Sequence, residues 1–133
     1  DFPTSGLLTS DKTILLPHIG ASTEEAEENC AIMAADQLRE FLENGNIRNS
    51  VNFPALSLEK SDGHRIVIVN ENVPKMLGQI LSILADKDIN IIDMLNKSRD
   101  DIAYNLIDIE TPLSEETLNE IRSIEHVIKV WLI

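Results

Sequence analysis

Between residues 65 and 132 the spacing of apolar residues switches from strand-like to helical, back to strand-like for two segments, to helical again and to a final strand. Few architectures accept that order. Residues 65–70 read as a strand, and Pro74 then opens a helix whose inner stripe is Met76, Leu77, Ile80, Ile83 and Leu84 and which ends near Lys87. Residues 89–96 and 103–110 are predicted strands joined through the polar stretch Ser98-Arg99-Asp100-Asp101, a hairpin by spacing and composition. Ser114 caps a second helix with Leu118, Ile121 and Ile124 inward, and residues 127–132 form the last strand. Two split βαβ halves of this kind build a four-stranded antiparallel sheet with both helices on one face, the ferredoxin-like βαββαβ arrangement of the α+β class. Ile66 and Ile68, Ile92 and Met94, Tyr104 and Leu106 give these strands apolar side chains on both faces. The face without helices is therefore expected to be covered by a second copy of the chain, as a homodimer or homotetramer.

The preceding residues are organised differently. Residues 12–16 read as a short strand stopped by Pro17. Ser22 with Glu25 makes a capping box, and Glu24, Glu25, Glu27 and Glu28 lie where the positive end of a helix dipole favours carboxylates. A helix is predicted from Thr23 to Glu43, with Ala26, Cys30, Met33, Ala34, Leu38, Phe41 and Leu42 as its apolar stripe and Asn44-Gly45 as its stop. The stretch 46–62, with Pro54 and Asp62-Gly63 in it, reads as a linker. The expected organisation is thus residues 1–45 as a strand-helix remnant of an α/β domain, 46–62 as a linker and 63–133 as the ferredoxin-like domain. One strand and one helix bury too little to stand alone, so residues 1–45 need a partner. Asp1 in place of Met, with no leader pattern after it, suggests a start inside a longer protein.

Composition removes several functions. Eleven Lys plus Arg against 23 Asp plus Glu give a net charge of −12, which repels nucleic acid and anionic membranes. No apolar run approaches the length of a membrane span. The single cysteine, Cys30, excludes an intrachain disulfide, suits a cytoplasmic location, and is expected to be a buried packing residue. The five glycines are too scattered for a dinucleotide fingerprint, so no NAD is expected on this chain alone. His18, His64, His126 and Cys30 never fall at metal-ligand spacing, and Ser22 has no base beside it. His18 stands between a strand and a helix, where α/β folds hold ligands, although a lone loop histidine is ordinarily a surface residue. Asn70, Asn72 and Asn90 fall at strand corners, where turn chemistry accounts for each of them. The alternative is that their amides converge on a small zwitterion whose carboxylate also meets a helix N-terminus.

The run Leu16-Pro17-His18-Ile19-Gly20-Ala21-Ser22-Thr23-Glu24-Glu25-Ala26 closely resembles the catalytic-histidine segment of the phosphoglycerate dehydrogenase family, within the D-isomer-specific 2-hydroxyacid dehydrogenases. The likeness continues through Val51-Asn52-Phe53-Pro54, and from His64 to Ile133 the chain looks like the ACT regulatory domain at the C-terminus of these enzymes. The resemblance implies a C-terminal part of an enzyme that oxidises 3-phosphoglycerate to 3-phosphohydroxypyruvate with NAD, the first step of L-serine biosynthesis. His18 would be the acid/base that exchanges a proton with the substrate hydroxyl. Its glutamate partner, the substrate-binding arginine and the dinucleotide site lie upstream of this segment in the family, so the chain alone is expected to be inactive. The ACT resemblance implies an amino-acid effector, L-serine, held between two copies, and a hinge around Gly63 that passes its binding on to the active site. Asn72 and Asn90 match the family's serine-binding asparagines. Asn70 stands where serine-sensitive members often have histidine, and Lys75 where many ACT domains have a glycine. The Lys75 side chain either fills the pocket, leaving an assembly module without a ligand, or holds the effector carboxylate with its ammonium group.

Overall fold

A computed structural model describes residues 2–133; Asp1, on which the reading of an internal start rests, lies outside them. In chain order the elements are α1 (Ser5–Leu8), α2 (Glu24–Asn44), β1 (His64–Glu71), α3 (Met76–Asp86), β2 (Ile91–Arg99), β3 (Ile102–Ile109), α4 (Glu115–Arg122) and β4 (Val127–Leu132). Contacts divide the chain within α2, into a first unit that ends at Asp36 and a second unit, Gln37–Ile133.

In the second unit the four strands form one antiparallel sheet in the order β2-β3-β1-β4. This is the ferredoxin-like βαββαβ order expected from the hydrophobic periods. The β2–β3 hairpin turns at Asp100 and Asp101, with Asp100 at φ 52, a conformation that aspartate tolerates better than most residues. Ser114 starts α4 by accepting the Thr117 N–H on its hydroxyl at 3.1 Å. Period-two alternation sends Ile66, Ile68, Ile107 and Ile109 to the helix side of the sheet, where they bury against Ile80 and Leu84 of α3 and Leu118 and Ile121 of α4. Each such side chain contributes about 2 kcal/mol by leaving water.

The other face carries Val67, Val69, Tyr104 and Leu106, all buried, and no second copy is needed to cover them. The chain does so itself: Ile47 and Leu56, joined by a small bridge of backbone hydrogen bonds, lie in the same cluster, and Phe41, Phe53 and Leu58 pack against it. Phe53 and Trp131 meet Tyr104 edge-on, at centroid distances of 5.7 and 6.2 Å. The second face is apolar, as the alternation predicts, but its cover is residues 41–58 rather than a second copy. For the same reason residues 46–62 are not a loose tether.

One side chain fastens that strap. Arg65 in β1 is fully buried and spends all five guanidinium N–H groups. Nε and Nη2 grip the two Asp108 carboxylate oxygens at 2.6 and 2.8 Å, Nη1 donates to the Asn44 and Leu58 carbonyls at 2.8 and 2.9 Å, and Nη2 donates to the Glu59 carbonyl at 2.9 Å. Asp108 completes the clasp by accepting the Ser61 N–H at 3.1 Å. Burial pushes the Asp108 pKa up, but the Arg65 bonds and those from Ser61 outweigh it and hold the carboxyl below its ordinary value. Tyr104 adds a further tie, its hydroxyl donating to the Gly45 carbonyl at 2.8 Å. Gly45 ends α2 at φ +70, and a Cβ there would lie 2.9 Å from both Leu106 and Val67.

Gly63, expected to be a hinge, is instead held in place. Its N–H donates to the Ser61 hydroxyl at 3.2 Å, and a Cβ on it would come within 2.3 Å of the Ile109 carbonyl oxygen and 2.5 Å of Ile92. The glycine serves close approach of backbone to backbone. Gly63→Ala is expected to cost about 1–3 kcal/mol, measured as a lower urea midpoint, because the Ile109 backbone must give way.

In the first unit the sequence reading needs three corrections. Residues 12–16 are not in a strand, since no neighbouring segment pairs with them and an isolated strand leaves its backbone groups unpaired. The helix that follows is as long as expected but is capped one residue later, by the Thr23 hydroxyl accepting the Ala26 N–H at 3.2 Å. Within this unit its stripe is open rather than buried, with Met33 over half exposed, and Cys30 is exposed with it.

Candidate functional site

At the C-terminal end of β1 the chain leaves the sheet through Glu71-Asn72-Val73-Pro74 and enters α3. Lys75 occupies the N-cap position at φ 76, so Pro74 belongs to the turn before the helix, which starts at Met76. A lysine in the left-handed region costs about 1 kcal/mol relative to glycine. The Gln79 N–H closes the first turn on the Lys75 carbonyl at 3.1 Å. The N–H groups ahead of it have no partner within the helix and carry its positive end.

Beside this turn lies a cleft of about 230 Å³ lined by Asn70, Asn72, Lys75, Gly78 and, from β2, Asn96. Of the four residues suspected from sequence, Asn70, Asn72 and Lys75 meet here. Asn72 is exposed, and its Nδ2 donates to the Asp100 carbonyl at 3.1 Å. Asn70 is buried, and its Nδ2 donates to the Glu71 carbonyl at 2.6 Å. Nothing stands on Gly78 within 4 Å of where a Cβ would be, so the helix start is open on that side. The cleft is thus lined by asparagine amides and one lysine at a helix N-terminus, a set suited to a small molecule with a carboxylate.

Asn90 is elsewhere. β1 and β2 run parallel with β3 between them, so the start of β2 lies at the opposite end of the sheet from the end of β1. Asn70 faces Ala103, whereas the Asn90 carbonyl accepts the Glu110 N–H at 3.1 Å. The residues between amount to about 20 Å along the strand. The three asparagines do not converge within one chain.

Two residues of this region were not singled out in the sequence. Asn105, fully buried in β3, donates its Nδ2 to the Ile68 carbonyl at 3.0 Å and to Asn70 Oδ1 at 2.8 Å, and its Oδ1 accepts from Asn96 Nδ2 at 2.6 Å. The available signal was an asparagine interrupting the apolar alternation of Tyr104, Leu106 and Ile107.

His18 belongs to the first unit. It is exposed and lines a shallow depression with Phe2, Leu7, Leu15 and Pro17. Among the described residues no group of three or more His, Cys, Asp or Glu is placed to hold a metal ion, and no helix is long and apolar enough to cross a membrane.

No family model matches the chain. Curated relatives do. It is 34% identical over 132 residues to D-3-phosphoglycerate dehydrogenase of Escherichia coli, covering 98% of this chain and 32% of that protein. The enzyme of the same name from Dictyostelium discoideum is 36% identical over 118 residues, with 88% of this chain and 28% of that protein covered. D-3-phosphoglycerate dehydrogenase 2 of Saccharomyces cerevisiae is 38% identical over 113 residues, with 81% and 24% covered. Among solved structures, the ACT domain of a GTP pyrophosphokinase from Chlorobium tepidum is similar at a TM-score of 0.45 and 22% identity, covering 53% of this chain and 83% of that one. The regulatory subunit of aspartate kinase from Thermus thermophilus is similar at 0.42 and 11%, covering 61% and 56%. The chain spans about a third of the length of the curated relatives it matches. Over nearly its whole length the chain is similar in sequence to the C-terminal region of D-3-phosphoglycerate dehydrogenases.

Proposed function

We propose that the sheet domain is the regulatory and assembly part of a phosphoglycerate dehydrogenase and binds a small zwitterionic amino acid, L-serine first among candidates. The observation that carries this is the cleft where Asn70, Asn72 and Lys75 surround the start of α3. The helix N-terminus and the Lys75 ammonium suit a carboxylate, and the asparagine amides suit the remaining polar groups. A role for Asn90 in the same site requires a second chain. β2 is an edge strand. Two copies meeting antiparallel along β2 would bring the start of one β2 beside the end of the other, and so the partner's Asn90 toward Asn72. The homodimer is thus proposed at the strand edge, the broad face being already covered.

His18 belongs, in this reading, to the catalytic centre of the whole enzyme, where an imidazole exchanges a proton at neutral pH with the substrate hydroxyl. The exposed stripe with Met33 and Leu38 suits packing against the remainder of that catalytic body. NAD, the cofactor this activity implies, does not fit the residues present. The described glycines stand singly, and Gly45 and Gly63 are pressed against the protein's own atoms, so none forms a phosphate cradle. No hydride step is assigned to this chain.

Calorimetry and thermal unfolding of the chain with millimolar L-serine test the effector role. Binding heat and a raised Tm are expected, with about 2.7 kcal/mol of added stability at a serine concentration one hundred times Kd. Neither signal would leave a module that only assembles subunits, the outcome a pocket plugged by Lys75 predicts.

A further inference from the structure

Three asparagines on three neighbouring strands form a hydrogen-bonded row on the helix side of the sheet, running from the edge strand β2 through β3 to the end of β1: Asn96, Asn105, Asn70. An amide can ordinarily be turned end for end, exchanging its donor for its acceptor. Here it cannot. The Ile68 carbonyl, which only accepts, lies 3.0 Å from Asn105 Nδ2 and fixes which end of that amide is nitrogen. Asn105 Oδ1 must then accept from Asn96 Nδ2, and the second hydrogen on Asn105 Nδ2 must go to Asn70 Oδ1. The Glu71 carbonyl, again only an acceptor, agrees at the far end by taking a hydrogen from Asn70 Nδ2 at 2.6 Å. Two backbone carbonyls therefore set the polarity of the whole row.

The consequence falls on the cleft, which Asn70 and Asn96 both line while Asn105 does not. With one Nδ2 hydrogen engaged on Asn105, Asn96 offers its Oδ1, an acceptor, beside its second Nδ2 hydrogen. With its Oδ1 engaged, Asn70 has one Nδ2 hydrogen left, a donor. Asn105 is wholly buried, touches no ligand in this arrangement, and determines what both flanking amides can offer. Such a row is stiffened by its own bonds, and reversing one member would leave a buried polar atom without a partner.

Building on the effector reading above, we propose that Asn96 is a ligand contact that accepts from the ammonium group of the bound amino acid, and that Asn105 is a positioning residue that holds Asn96 and Asn70 in the required orientation. The row would select amino acids over the corresponding acids that lack an amine. Lys75 and the start of α3 would take the carboxylate that both kinds of molecule share.

The test compares L-serine with 3-hydroxypropionate, which keeps the carboxylate and hydroxyl and lacks the amine, by calorimetry on the full chain. The unsubstituted chain should prefer L-serine by about tenfold or more, the range of a hydrogen bond to a charged group. Asn96→Ala, at an exposed position, should fold and lose most of that preference by weakening serine alone. Asn105→Val should lower Tm and also reduce the preference, because the Asn96 amide is then free to turn. A purely structural Asn105 would lower Tm and leave the serine-to-hydroxypropionate ratio unchanged, which overturns the positioning role. An unchanged ratio in Asn96→Ala overturns the contact. Absence of any serine response in the unsubstituted chain overturns the effector reading itself, and the roles of Asn96 and Asn105 with it.

Discussion

Arg65→Met is expected to destabilise the sheet domain by about 3–5 kcal/mol, a large share of the 5–15 kcal/mol that holds a typical domain together. The methionine fills much of the volume but donates nothing. Asp108 is left as a buried carboxylate without its cation, and the Asn44, Leu58 and Glu59 carbonyls lose their donor. Those carbonyls lie on the strap over the second sheet face, so the loss should spread: hydrogen exchange should rise first across residues 46–62, ahead of β1 and β3. Arg65→Lys should rescue little, since three donors on a tetrahedral ammonium cannot reproduce a fork that serves five acceptor contacts. The pair also predicts a pH response. Asp108 has a lower pKa folded than unfolded, so its contribution is complete above the ordinary carboxylate value of about 4 and is lost as pH falls through the lower, folded value. Asp108→Asn should be less stable at neutral pH and show a shallower decline under acid. Equal acid sensitivity in the two proteins would refute the assignment.

The clasp also marks the limit of what could be read from the chain. Alternation and helical period are local, and they placed every strand and helix of the sheet domain, with β4 matched at both ends. Local pattern also showed that both faces of the sheet are apolar. It could not show which residues cover the second face, because the contacts of Ile47 and Leu56 with Tyr104 and Leu106 span half the domain in sequence. Arg65 gave no warning either: at the start of a predicted strand an arginine is ordinarily a solvent-facing residue. Residues 12–16 mark the reverse failure, a strand-like pattern without a neighbour to pair with.

The candidate site was partly legible for a similar reason. Asn70, Asn72 and Lys75 are close in sequence and bracket one turn, so chain proximity alone brings them together. Convergence of Asn90 with them would require the start of β2 to lie beside the end of β1, but β1 and β2 run parallel with β3 between them. Once the strand order is known, the separation within one chain follows, and so does the need for a second chain if Asn90 is to take part.

That requirement yields the sharpest test of the proposed effector site. Asn72→Ala and Asn90→Ala should each lose the serine response, by about tenfold or more in affinity, while the exposed positions leave folding intact. Mixed and allowed to exchange subunits, the two inactive variants should recover it in part. In a two-fold dimer one chain gives Asn72 to the first site and Asn90 to the second, so a mixed dimer holds one complete site and one lacking both amides. Random exchange makes about half of the dimers mixed, and about a quarter of all sites should then bind serine in a titration. Recovery would locate the effector between two chains at the β2 edge, since no site within one chain can be restored by mixing. Loss in both variants with no recovery, in a mixture shown by mass spectrometry to have exchanged, would exclude the shared site. An unchanged response in Asn90→Ala would confine binding to the cleft at the start of α3 and leave the strand edge to assembly alone.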